Sequence, residues 1–251
     1  MDTQLINRLN QLNNDFYNTT AINFDDSRQY FWQGWNKISP LLDKFTDIRV
    51  ADIGCGNGRF GQFLIENTPQ KLSYTGIDAN SKLLEFAEKN LKGRIPALHL
   101  KKVDIINALQ NNIDFLADQE FQLITSFGVF HHIPSFELRL KMIKYLLSKL
   151  SSDGYLIISL WQFMDYQRFK KKVINDQSTL NAKNIKLINL EKNDFILDWN
   201  RGETALRFCH FIDKSEQLKL INMSSSKLID QFRADGKEED VNQYLILSNN
   251  L

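Results

Sequence analysis

Between Ala51 and Gly58 the chain reads Ala-Asp-Ile-Gly-Cys-Gly-Asn-Gly, three glycines directly behind the strand-like run Ile48–Ile53. Glycine has no Cβ, so such a turn lets the backbone approach a ligand closely. A helix opening behind it offers free N–H groups to anionic or electron-rich groups. Asp78 lies 20 residues past Gly58 and closes a second apolar run. An acid there meets the two hydroxyls of a ribose. Asp104 closes a third run and can accept a hydrogen bond from an adenine amine. In that order the three features predict a site for an adenosine-containing cofactor. Its expected residues are Asp52, Gly54, Cys55, Gly56, Asn57, Gly58, Asp78, Ala79, Asp104 and Ile105, with Ser126 at the end of a fourth strand.

Gly56-Asn57-Gly58-Arg59-Phe60-Gly61 also fits the dinucleotide fingerprint G-x-G-x-x-G. In a dinucleotide site, however, the first glycine follows the strand at once, and here that residue is Gly54. An acid, one apolar residue and then G-x-G-x-G instead resembles the nucleotide motif of class I S-adenosylmethionine methyltransferases. The resemblance implies that Asp52 neighbours the cationic methionine end of the cofactor. It likewise implies that Asp78 takes the ribose and Asp104-Ile105 the adenine.

The elements that must position these residues are legible in outline. Residues 3–18 and 27–45 read as two helices, rich in Leu, Phe and Trp at helical spacing. Strands are expected over 48–53, 72–77, 97–103, 121–126 and 155–161, alternating with helices over 59–66, 81–91 and a long one capped by Ser135. Such alternation implies a parallel sheet with helices on both faces. Residues 162–205 break the rhythm; a helix over 215–222 and strands over 227–232 and 244–247 follow. The expected fold is α/β, a doubly wound Rossmann-like class I methyltransferase fold with a mostly parallel seven-stranded sheet and an antiparallel closing hairpin. One methyltransferase domain fills 1–251: a helical lid over 1–46, a cofactor-binding core over 47–161, an acceptor-side insert over 162–211 and a closing helix and hairpin over 212–251.

Composition narrows the classes further. The 251 residues are 43% hydrophobic and 24% charged, which excludes a disordered tail, a collagen-like repeat and a small disulfide scaffold. The longest apolar stretch, near Tyr155–Trp161, is far short of the ~20 residues that span a bilayer. Met1–Asn7 has no basic region before an apolar core, so no secretory signal or membrane partner is expected and the chain reads as cytoplasmic. Thirty-one basic residues face 30 acidic ones, so a nucleic-acid partner would have to use a local patch. Arg168-Phe169-Lys170-Lys171-Lys172 is the one dense basic run, and a solvated helix face is its plain alternative. Cys55 and Cys209 are too few for a disulfide framework, and the histidine spacings suit no metal.

Further motifs resemble the family of tRNA wobble-uridine carboxymethyl methyltransferases. They are Ser27-Arg28 with Trp32, His131-His132 with Arg139, Trp161, Phe195–Trp199, and Arg207-Phe208-Cys209-His210-Phe211 leading into Glu216-Gln217-Leu218. Asp198 departs from the family's proline, and Cys209 from its aromatic residue. The resemblance implies a tRNA acceptor and, as in eukaryotic members, an activating partner subunit. A carboxylate acceptor also makes chemical sense: it is ionised at pH 7 and needs no general base, only alignment. Arg28 and Arg207 can grip a carboxylate or phosphate bidentately, with His131 or His210 as donors. Each has a plainer alternative: an ion pair with Asp25 or Asp26 for Arg28, a strand-edge charge for Arg207, a satisfied core histidine for His210. Rival functions are methylation of a small carboxylate, phenol or quinone precursor, and a binding module that has lost catalysis.

Overall fold

Five strands, β1 (Asp47–Ile53), β2 (Lys71–Asp78), β3 (Ala97–Lys102), β4 (Phe121–Phe127) and β5 (Leu150–Trp161), lie parallel in the order β3-β2-β1-β4-β5. Two more, β6 (Asp194–Arg201) and β7 (Glu203–His210), form a separate antiparallel hairpin. The last pair, β8 (Ser226–Ala234) and β9 (Asn242–Asn249), completes the large sheet as β5-β9-β8, with β9 antiparallel to both neighbours. This is the class I Rossmann-like methyltransferase sheet. The computed structural model describes residues 1–26, 30–117, 119–201 and 203–249.

Strand order reverses between β1 and β4, where Asp52 pairs with Gly76 on one side and Thr125 on the other. Crevices in open α/β sheets form at the carboxyl ends of the strands beside such a switch point. β1, β2 and β4 are buried over most of their length because both faces are covered. Ile53, Ile77, Ile124 and Ile158 pack to one side with Met142 and Leu220; Val50, Tyr74, Leu123 and Ile157 pack to the other with Phe60 and Phe63.

The helices are α1 (Thr3–Asp26), α2 (Ser39–Leu42), α3 (Arg59–Asn67), α4 (Ser81–Leu91), α5 (Ile105–Gln110), α6 (Phe136–Leu147), α7 (Gln167–Lys170), α8 (Gln177–Asn181) and α9 (Lys214–Ser224). Side-chain caps open several: Asn80 for α4, Asp104 for α5, Ser135 for α6 and Asp213 for α9. Among the described residues, no helix is long and apolar enough to cross a membrane.

Two expectations need correction. Among the described residues of 27–45 no continuous helix runs: a 3-10 turn (Gln33–Lys37) precedes α2. Gly34 sits where a Cβ would lie 2.6 Å from the Tyr244 ring, and its N–H donates to Asp235. Pro40 has no N–H to continue a helix and instead suits the first turn of a new one. The aromatic spacing is real, but it packs Trp35 on Phe60 and Phe63. The second correction is that the insert contains the β6–β7 hairpin. Ile196 and Phe208 pack with Leu5, Leu9 and Leu12 of α1, while Leu197 and Cys209 pack around Phe163. With both faces covered, the strands lack the polar–apolar alternation that would reveal them.

Candidate active site

A cavity of about 760 Å³ opens at the switch point, walled by the carboxyl ends of β1, β2 and β4, by α1, by the β6–β7 hairpin and by the β8–β9 turn. Its inner half is built on the glycine turn. Gly54 and Cys55 both donate N–H groups to the Ile77 carbonyl, at 2.7 and 2.9 Å, so the turn is pinned to β2. Gly54 has φ +73°, and a Cβ there would lie 2.2 Å from Val129 Cγ2.

Three acids converge on this half. Asp52 is buried and accepts from Tyr74 Oη at 2.5 Å and Thr125 Oγ1 at 2.8 Å; burial raises its carboxyl to about 6 even so. Asp78 accepts from the Gly56 N–H at 2.9 Å and the Asn80 N–H at 2.8 Å. Burial raises its carboxyl, and those backbone N–H groups oppose the rise. Asp104 caps α5 through the Asn107 N–H, and its other oxygen accepts from Asn10 at 2.8 Å and Asn14 at 3.3 Å.

Most residues expected at the cofactor line this half: Asp52, Gly54, Cys55, Gly56, Asn57, Asp78, Ala79, Asp104 and Ile105. Two do not. Gly58 lies behind the wall, with φ +77° at the start of α3, where a Cβ would meet Ala87 at 3.1 Å. Its missing side chain serves helix packing. Ser126 is fully buried on β4 and absent from the lining, because its side chain falls on the covered face.

The outer half carries cations among aromatic rings. The Arg207 guanidinium lies 5.2 Å from the Phe16 ring, 4.9 Å from Trp161 and 5.4 Å from Trp199. It is 7% exposed, and its Nε has no hydrogen-bond partner among the described residues. His131 shares the Trp161 wall at 5.2 Å, and its Nδ1 likewise lacks a partner among them. Burial, with His132 and Arg207 nearby, holds the His131 imidazole well below its ordinary range, so the ring is neutral. Arg168, Phe169, Lys172 and Lys237 stand around the same half. Arg28 lies outside the described residues.

His132 and His210 have other tasks. A carbonyl can only accept, so His132 Nδ1–H donates to Phe208 O at 2.8 Å and Nε2 accepts from Tyr17 Oη at 2.9 Å. His210 is not on the cavity wall, which corrects the expectation that it serves the acceptor. Its Nδ1 meets Asp194 at 2.6 Å and its Nε2 meets Glu216 at 2.7 Å. Two ionised carboxylates accept only, so both ring nitrogens carry protons; the two hydrogen bonds raise the ring's affinity for its proton against the effect of burial. Arg139 joins the cluster, bonding Glu216, Glu191 and the Ile133 carbonyl.

Among the described residues, two groups are close enough to suggest a metal, His131-His132-Cys209 and Glu191-Asp194-His210. Neither donor set is free: His132 has both nitrogens committed, and Arg139 and the His210 cation already neutralise the second group.

The sequence reading expected a helical lid over 1–46 but did not name the residues of α1 that contact the cavity. Asn10, Asn14, Tyr17 and Asn18 form a polar stripe on α1 at helical spacing; Asn18 accepts from Asn80, and Asp25 from Asn57. Asn13 accepts from the Phe208 N–H at 2.8 Å. The carboxamide repeat was the available signal.

The Methyltransferase domain family matches residues 44–223. The chain is 27% identical over 187 residues to the mouse protein named probable tRNA methyltransferase 9B, covering 74% of this chain and 33% of that one. It is 28% identical over 150 residues to the tRNA (carboxymethyluridine(34)-5-O)-methyltransferase of Saccharomyces cerevisiae, covering 58% of this chain and 46% of that one. The chain thus spans a third to a half of these relatives. Among solved structures, an S-adenosylmethionine-dependent methyltransferase from Clostridium acetobutylicum superposes with TM-score 0.62 at 14% identity, covering 93% of this chain and 98% of that one. The chain belongs to the Methyltransferase domain family and has the class I Rossmann-like methyltransferase fold.

Proposed function

We propose that the protein methylates a carboxylate carried on a nucleobase, namely the 5-carboxymethyl group of a tRNA wobble uridine. The observation that carries this is Arg207: a buried guanidinium on the cavity wall, boxed by three aromatic rings, whose Nε has no hydrogen-bond partner among the described residues. A permanent cation with an unused donor is matched by an anion. The names of the mouse and yeast relatives support tRNA as its bearer.

On this reading Asp52 neighbours the cationic end of the cofactor, Asp78 accepts from its ribose hydroxyls and Asp104 faces its adenine. Gly54, Cys55, Gly56, Asn57, Ala79 and Ile105 shape the cradle. Bound S-adenosylmethionine supplies an electrophilic methyl, whose bond to sulfur breaks with its electron pair left on sulfur as the carboxylate oxygen bonds to carbon. No proton moves, which suits a site whose histidine, His131, is neutral and without a carboxylate partner. Arg207 holds the carboxylate, His131 offers one N–H, and Trp161 and Trp199 give the base a flat wall. Arg168, Lys172 and Lys237 stand where flanking phosphates would pass.

The test is label transfer from radiolabelled S-adenosylmethionine to bulk tRNA carrying free carboxymethyluridine. Label that mild alkali releases as methanol is an ester and supports the reading; alkali-stable label moves the acceptor atom. No label in tRNA, with label in free small carboxylates, overturns the tRNA acceptor. Binding to tRNA should weaken steeply with salt.

A further inference from the structure

Asp213 and Glu216 stand at the N-cap and third position of α9, the spacing of a capping box. The Asp213 half forms: its carboxylate accepts from the Glu216 N–H at 2.9 Å. Glu216's own carboxylate is spent elsewhere. One oxygen accepts from Arg139 Nε at 2.7 Å and the other from His210 Nε2 at 2.7 Å. All three side chains are almost closed off from water, at 14%, 1% and 1% exposure.

Each partner leads to one of two groups on the wall of the outer cavity, His131 and Arg207. Arg139 also donates to the Ile133 carbonyl at 2.9 Å, in the turn that carries His131 two residues earlier. His210 lies on β7 three residues after Arg207. An odd spacing on a strand puts the two on opposite faces, so Arg207 faces the cavity while His210 faces α9.

We propose that Glu216 is a positioning residue for the acceptor half-site, its two oxygens holding the His131 turn, through Arg139, and the Arg207 strand, through His210, at a fixed separation. The meaning given to His131 and Arg207 rests on the function proposed above; the link between them does not. Asp194 supports the strand side by taking the other nitrogen of His210 at 2.6 Å, and Glu191 supports the turn side by taking Arg139 at 3.1 Å.

The test compares four variants of the full chain. Glu216→Ala removes both contacts. Glu216→Asp keeps the charge but is too short to reach both partners. In Glu216→Gln the carbonyl still accepts from Arg139 while the amide donates to a His210 that becomes neutral. Leu220→Ala loosens α9 at a buried apolar position without touching the carboxylate. Two readouts apply: kcat and acceptor KM on whichever acceptor the wild type methylates, and the Arg207 Nε–H resonance, which needs no acceptor.

Expected is a loss in kcat/KM of roughly tenfold to a hundredfold for Ala, a smaller loss for Asp and near-wild-type activity for Gln, since small misplacements are costly. Affinity for S-adenosylhomocysteine stays unchanged throughout, and the Arg207 resonance moves in Ala and Asp but not in Leu220→Ala. If Ala does not fold, Asp decides. An Asp variant with wild-type kinetics and an unmoved Arg207 resonance overturns the proposal, as does an equal kinetic loss in Leu220→Ala. A wild type that methylates no carboxylate sinks the proposed acceptor instead, and the resonance still decides the link.

Discussion

Tyr74 on β2 donates its hydroxyl to Asp52 on β1 at 2.5 Å, beneath the floor of the cavity. Even with this bond and a second from Thr125, burial leaves the Asp52 carboxyl at about 6, so the protein holds a carboxylate that is readily neutralised.

On the function proposed above, the ammonium end of the bound ligand favours the ionised form of Asp52. Affinity for S-adenosylhomocysteine, whose amino-acid end carries the same ammonium, should therefore hold above pH 6 and fall towards tenfold per unit below it. Calorimetric titrations from pH 5 to pH 8 read this directly, and in Asp52→Asn the dependence should vanish along with most of the affinity.

The same residue trades stability for binding. A pKa raised from 3.8 to about 6 means that ionising Asp52 in the folded protein costs about 3 kcal/mol at neutral pH. The cost is absent below the unfolded value and complete once pH exceeds the folded one. Asp52→Asn should raise Tm at pH 7.5 by several degrees and leave it little changed at pH 4.

Arg207→Lys keeps the charge but loses the planar fork and the stacking. Transfer to the carboxylate acceptor should fall at least about a hundredfold for Lys and further for Ala. Calorimetry should find the affinity for S-adenosylhomocysteine unchanged in both.

His210 carries the opposite pH signature. Its folded pKa is raised, so the stabilisation from Asp194 and Glu216 is complete below the unfolded value of 6.5 and is lost as pH rises through the folded value. Wild-type Tm should decline above neutrality more steeply than that of His210→Asn, whose curve should be flatter though lower overall.

Gly54→Ala should be among the most damaging single methyl additions. It places a Cβ 2.2 Å from Val129 Cγ2 and forces alanine to φ +73°. The expected loss is about 2–4 kcal/mol in urea unfolding. Val129→Ala in the same chain should recover the steric part and leave the backbone part.

That the glycine turn, Asp78 and Asp104 would come together was legible because the signal is local: each ends a strand, and a strand is a short, periodic pattern. The sheet followed from the same apolar runs, with strand ends displaced by a residue or two except at β5, where Leu150–Gly154 extend the strand. The insert was less legible. Packing on α1 and on Phe163 removes the alternation from β6 and β7, so the hairpin has no signature of its own. His210 and Arg207 are three residues apart in one motif, yet they face opposite ways, and only the pairing of β6 with β7 separates a cavity cation from a buried one. Gly58 and Ser126 belong to the motif by spacing but to helix packing and strand interior by position.

One rod of helix spans both halves of the cavity. α1 touches Asp104 through Asn10 and Asn14, and it touches Phe208 and His132 through Asn13 and Tyr17. A swing that uncovers the adenine position must also give up the hairpin. On the function proposed above, the cofactor half and the acceptor half of the cavity therefore share one cover and open together.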